Sequence, residues 1–129
     1  LRRKFILLVL FLVFIQVKMF SQESLKNIST SFKQGNAKTM SAYFDAFIDL
    51  TFSDETNTYS KKQAELILQK FFSKVEPTNF ESKRSGNSKY NNTKFSIGSL
   101  STSNGEYKVY MFFIQKNNIY YLKEIRFEK

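Results

Sequence analysis

A chain with no histidine and no cysteine has to do any chemistry with carboxylates, lysines and tyrosines. The commonest nucleophile-base pairs and the usual zinc sites are therefore excluded. Acid–base work would fall to a carboxylate beside a tyrosine, and Asp45 and Asp49, which flank a short apolar segment, are the carboxylates best placed for it. No spacing singles out either one, so no catalytic residue is assigned. Asp54-Glu55 sets two carboxylates side by side but lacks the alternating ligand spacing of a calcium loop. It reads as a solvated turn, and no metal or cofactor is expected. Lys123 is more informative, because it interrupts the alternating run Tyr121, Ile125, Phe127. Its ammonium either snorkels from the rim of a sheet or meets a carboxylate or phosphate at the mouth of a pocket.

Which of these holds depends on the last third of the chain, Thr93 to Lys129, which reads as three antiparallel strands. Asn104-Gly105 between two alternating runs suits a type I′ hairpin, with Ser103 opposite Glu106 and Leu100 opposite Val109. One extra residue near Gly98-Ser99, a β-bulge, then brings Phe95, Ile97 and Leu100 onto one face with Tyr107, Val109, Met111 and Phe113. At the second turn a two-residue Asn117-Asn118 loop would set Val109 against Arg126. A three-residue loop, Lys116 to Asn118, instead pairs Val109 with Ile125, Tyr107 with Phe127 and Phe113 with Tyr121. Because a one-residue slip inverts every side chain, hydrophobic agreement selects the longer loop. Lys123 then faces the core side opposite Met111 and beside Tyr121, and these three form the candidate ligand site. The other face carries Phe112, Ile114, Tyr120 and Leu122 clustered at one end. Four large apolar side chains on an open sheet face require a cover, either a second copy, an extra helix or a partner protein.

Upstream, Arg2, Arg3 and Lys4 precede an uncharged apolar run, Phe5 to Ile15. That is the pattern of a secretory signal peptide, too short for a membrane span of about 20 residues. Cleavage is expected at Ser21-Gln22, making residues 1–21 the leader and 22–129 a single domain, periplasmic or extracellular, with no stable membrane span. Losing the leader removes four of the 20 basic residues and none of the 11 acidic ones, so the net charge falls from +9 to +5. The remaining lysines are scattered, which argues against a nucleic-acid partner.

Leu25, Ile28 and Phe32 recur at helical spacing until Gly35 ends the helix. Asn36 can cap a second helix with Met40, Tyr43, Phe44 and Phe47 on one side. Phe47 to Phe52 suits a strand and Ser53 to Thr58 a turn, with room for a second short strand near Thr58-Tyr59. Ser60-Lys61-Lys62-Gln63 is a capping box. Behind it Ala64, Ile67, Leu68, Phe71, Phe72 and Val75 follow a 3.6-residue period up to Pro77. Thr78 to Ser85 reads as a strand around Phe80, and Ser85 to Asn92 as a loop.

Helices with one apolar stripe and a meander with one apolar face make a two-layer α+β domain. The element order, the Gly35-Asn36-Ala37-Lys38 corner before Tyr43-Phe44, the Tyr59-Ser60-Lys61-Lys62-Gln63-Ala64 opening and the Ser103-Asn104-Gly105 turn resemble a family of short secreted bacterial proteins known only as a domain of unknown function. That family is similar to the nuclear transport factor 2-like (cystatin-like, cone-shaped) fold. The resemblance implies amino-terminal helices packed on a curved antiparallel sheet, and a homodimer through the open sheet face. It transfers no catalytic residue, although enzymes of this fold pair a pocket carboxylate with a tyrosine. The expectation is an exported, non-catalytic module binding a small ligand or a protein partner. The alternative is a small enzyme using a carboxylate and a tyrosine in the cone pocket. A filled cone under an apolar outer sheet favours the first, and a buried aspartate facing a roomy pocket favours the second.

Overall fold

A computed structural model of the 129-residue chain describes residues 2–90 and 92–129, without the side chains of residues 9–22. The cleavage point expected at Ser21-Gln22 lies outside the described side chains. Helix α1 (Arg2–Gln34) is continuous from the basic head into the domain, where Ile28 and Phe32 are fully buried. It ends in a Schellman motif. Gly35 takes φ +63°, its amide donates to the Phe32 carbonyl at 3.1 Å, and the Asn36 amide donates to the Ser31 carbonyl at 2.9 Å, which satisfies carbonyls the helix end would otherwise leave open. Asn36 then caps α2 (Ala37–Ser41), its side-chain oxygen accepting the Thr39 amide at 3.2 Å.

α2 is shorter than the apolar spacing predicts. The Leu122 amide donates to the Tyr43 carbonyl at 2.7 Å, so the chain enters the sheet there and Phe44 opens β1 (Phe44–Phe52). Alternation along β1 buries Ile48 and Leu50 and leaves Phe47, where the expected helix and strand overlap, 58% exposed. A turn with Ser53 at φ +57° leads into β2 (Glu55–Ser60). The capping box is present at the start of α3 (Lys61–Val75). Ser60 Oγ accepts the Gln63 amide at 3.3 Å and Gln63 Oε1 accepts the Ser60 amide at 3.2 Å. Ala64, Leu68, Phe72 and Val75 form its buried stripe.

Four strands follow, β3 (Pro77–Asn87), β4 (Thr93–Thr102), β5 (Gly105–Lys116) and β6 (Ile119–Glu128), as an antiparallel meander. The six-stranded order is β2-β1-β6-β5-β4-β3. β1 joins β6 in parallel, which makes the expected antiparallel sheet a mixed one. This pairing sets Leu50 beside Ile125 and Phe52 beside Phe127, extending the apolar face over which the helices lie.

Both hairpin registers differ from the sequence reading. At the first, only Gly105 of the Asn104-Gly105 pair has positive φ, and the turn closes one pair earlier, with Thr102 opposite Gly105 and Leu100 opposite Tyr107. Ser103 is drawn out of the ladder because its amide and hydroxyl both donate to the Val75 carbonyl, at 2.9 Å each, tying the turn to the end of α3. β4 pairs with β5 without a bulge, so Phe95 and Ile97 face away from Leu100. The irregularity lies on the neighbouring strand, where Lys83 is extra between Ser82, opposite Gly98, and Arg84, opposite Ile97. At the second hairpin Asn117 and Asn118 have φ of +52° and +64°, a two-residue turn of the primed kind. The conflict that excluded this turn is removed by a bulge at Lys123. Phe113 faces Leu122, Lys123 has no partner, and Met111 and Val109 face Ile125 and Phe127.

Phe32 is the centre of the core. Its ring stacks on Phe80 at 4.7 Å and meets Phe72 and Phe127 edge-on at 6.0 and 6.2 Å. Phe80 reaches it by lying over Gly98, where a Cβ would collide with the Phe80 ring and stand 2.9 Å from the Glu81 carbonyl oxygen. Gly98→Ala is therefore expected to destabilise the fold by about 1–3 kcal/mol through overpacking. Urea unfolding measures this, and Phe80→Leu in the same background should recover part of the loss. An alanine variant as stable as wild type would show that the ring is not confined there.

Candidate functional site

The corrected registers redistribute the residues singled out by the sequence. Met111 is a core residue and Tyr121 lies on the opposite face of the sheet, opposite Ile114. Lys123 stands between them on the bulge, so the three do not line one pocket. Of the four residues expected on the open face, Phe112 and Ile114 are there. Leu122 is fully buried and Tyr120 packs against the core, with Lys94 Nζ 4.5 Å from its ring centroid. The two-residue turn with its bulge is the cause, because it inverts Tyr120 and Leu122 relative to the longer loop.

What occupies the outer face instead is a wider apolar strip. One row across the sheet runs Arg84, Ile97, Tyr110, Arg126, Thr51 and Thr56. The next runs Gly86, Phe95, Phe112, Glu124, Asp49 and Thr58, and a third begins Thr93, Ile114 and Tyr121. Ile97, Phe95, Tyr110, Phe112, Ile114 and Tyr121 thus form one contiguous surface over β4, β5 and β6, with Phe112 itself 36% exposed. Phe95 and Ile97 were missed because a bulge was placed in β4. Plain alternation from Leu100 would have found them.

The strip is bordered by charge of both signs. On the β3 side Arg84 lies over the Phe95 ring at 5.7 Å. On the other side Glu124 accepts from Arg126 at 3.3 Å, and Asp49 Oδ1 accepts from Thr58 Oγ1 at 2.5 Å. Asp49 therefore faces outward from the sheet rather than into the cone.

Asp45, the other carboxylate considered for chemistry, lies near the start of β1, where the strand is irregular between Phe44 and Asp49, and its side chain is 8% exposed. Lys116 Nζ donates to both of its oxygens, at 3.0 and 2.9 Å, and Lys123 Nζ stands 3.5 Å from Oδ2 while donating to the Phe47 carbonyl at 2.9 Å. Burial alone would push the Asp45 carboxyl up. The Lys116 hydrogen bond, the Ala46 amide at 2.9 Å and the two lysine charges outweigh it and hold the group below the ordinary carboxylate range. A carboxyl whose pKa is lower folded than unfolded contributes stability that is full above about pH 4 and is lost as pH falls through the folded value. The difference in melting temperature between wild type and Asp45→Asn should accordingly be largest at neutral pH and shrink on acidification. A difference independent of pH would show that the charge is not what the cluster uses.

The interior of the cone is occupied by side chains. Phe52 stacks on Phe127 at 5.3 Å, Phe71 tilts against Phe127 at 4.7 Å, and Phe71 meets Tyr107 edge-on at 5.4 Å. Together with the Phe32 cluster they fill the space between the helices and the concave face of the sheet.

Comparison with known proteins agrees with this architecture. The family model described as Domain of unknown function (DUF4783) matches residues 25–128. The crystal structure of a DUF4783 family protein from Bacteroides ovatus is 30% identical over 80% of this chain and 92% of that one, with a TM-score of 0.75. Another from Bacteroides uniformis is 30% identical over 81% and 94%, also with a TM-score of 0.75. A Nostoc punctiforme domain of unknown function with a cystatin-like fold aligns over 85% of this chain and 75% of that one, with a TM-score of 0.65 and 9% identity, a likeness of fold alone. No curated protein matches the chain.

Proposed function

Since the chain belongs to the DUF4783 family, a domain of unknown function with a cystatin-like, nuclear transport factor 2-like α+β fold, we propose from its own surfaces that it is an exported, non-catalytic assembly module that pairs with a second copy through the outer face of its sheet. The observation that carries this reading is the apolar strip of β4 to β6 outside a cone whose inside is already filled with aromatic rings. Export is supported by the basic head and the apolar run Phe5 to Ile15.

The size of the strip says how the copies must meet. Three strands about 4.8 Å apart, with five residues rising about 3.4 Å each, cover roughly 250 Å² of sheet. That is about a third of the ~800 Å² each partner contributes to a standard interface. The flanking rows must therefore take part, and their charges allow it. Arg84 lies on the β3 flank, Glu124 and Asp49 on the β6–β1 flank. A twofold axis that exchanges the flanks sets Arg84 of one copy toward Asp49 of the other, whose Glu124 is already met by its own Arg126, with the apolar strips between them. Light scattering of the purified protein at micromolar concentration should return the mass of a dimer. A monomer there, with the strip wet, would remove the reading.

A further inference from the structure

At one end of the outer face β1 and β6 both leave regular pairing. β6 carries its extra residue, Lys123, at the level where β1 loses register with it between Phe44 and Asp49. Bulges re-aim side chains, and this one aims an ammonium at a carboxylate already served. Lys116 donates to both oxygens of Asp45 and the Ala46 amide to one of them, yet Lys123 is brought to 3.5 Å of the same group. Two lysines on one aspartate leave the cluster with a net positive charge. Exposure is divided in the same sense. The Asp45 side chain is 8% exposed, and those of Lys116 and Lys123 are 51% and 40% exposed. Each ammonium has three donors, and Lys123 turns one of them to the Phe47 backbone carbonyl.

We infer that Lys123 and Lys116 form a binding site for the oxyanion of a small ligand, a carboxylate or a phosphate, with Asp45 holding the two ammonium groups at a fixed separation. A tie between β1 and the β5–β6 hairpin needs one lysine, and the second supplies the excess charge that an anion reads. The site is complete in a single copy of the chain, so it stands or falls apart from the pairing of sheets.

The test is a nuclear magnetic resonance titration of the ¹⁵N-labelled protein with sodium benzoate and, separately, with inorganic phosphate. Saturable shifts of the Lys123, Phe47 and Asn118 amides are expected. Tighter binding of benzoate identifies a carboxylate ligand, and tighter binding of phosphate a site read by charge. Lys123→Met should weaken either anion about tenfold with the fold retained. Ile97→Glu, which addresses the pairing of sheets from the far end of the strip, opposite Tyr110, should leave the titration unchanged. Absence of saturable shifts with both anions, or equal affinity in Lys123→Met, overturns the inference.

Discussion

Phe32→Ala is expected to lower the stability of the domain by about 3–5 kcal/mol, the range for emptying an aromatic site in a packed core. Phe32 is fully buried, and its ring touches three others that come from separate elements: Phe72 on α3, Phe80 on β3 and Phe127 on β6. The neighbours cannot all close on the space at once. Phe80 is held over Gly98, Phe127 is stacked on Phe52, and Phe72 is fixed by the helix that carries it. A domain of this size is stable by about 5–15 kcal/mol, so the variant should sit close to unfolding. Urea denaturation checks this, and a loss below about 1 kcal/mol would mean that the four rings do not act as one cluster.

Ile114→Glu is expected to have the opposite profile, with little change in folding and a large change in assembly. Ile114 lies in the strip opposite Tyr121 and Thr93, half-buried in one copy alone. A carboxylate there can stay hydrated in the monomer, which keeps the effect on stability near the ±0.5 kcal/mol of ordinary surface changes. In the paired state the same carboxylate is stripped of water opposite an apolar surface. Leaving a charge buried without a partner costs about 3–5 kcal/mol, so the dissociation constant should rise at least about 100-fold. Sedimentation velocity reads this directly. Leu66→Glu, on the 54% exposed flank of α3, should leave assembly unchanged.

The parts of the fold that were legible in the sequence are those settled within a few residues. Gly35 at the end of α1 and the Ser60–Gln63 box at the start of α3 declare themselves because the donors, the acceptors and the required φ belong to neighbouring residues. Strand registers were less legible because two local preferences compete. Asn117 and Asn118 both accept positive φ and favour a short turn, while the alternation of Val109, Met111, Ile125 and Phe127 forbids it unless a residue is extra somewhere in β6. Lys123 is that residue, and its type carries no bulge signal. Leu122 and Tyr120 were assigned to the wrong face for that reason. The first bulge was located at the right level of the sheet and on the wrong strand, since Gly98 marks the close approach of Phe80 and Lys83 takes up the slack. The Asp45–Lys116 pair is separated by 71 residues and depends on the parallel docking of β1 on β6. No local pattern encodes it.

Because the chain contains no cysteine, a spin label can be placed at one chosen position without background. Dipolar distances between labelled copies locate the contact directly. Ser99→Cys puts the label at the rim of the outer strip, on the strand that carries Phe95 and Ile97, and Leu66→Cys puts it on the helical side of the domain. Face-to-face sheets pack about 10 Å apart, with the helices on the far sides of both. The distance at position 99 should therefore be the shorter of the two. The reverse order, or no dipolar coupling at either position in concentrated protein, would contradict pairing through the sheet face.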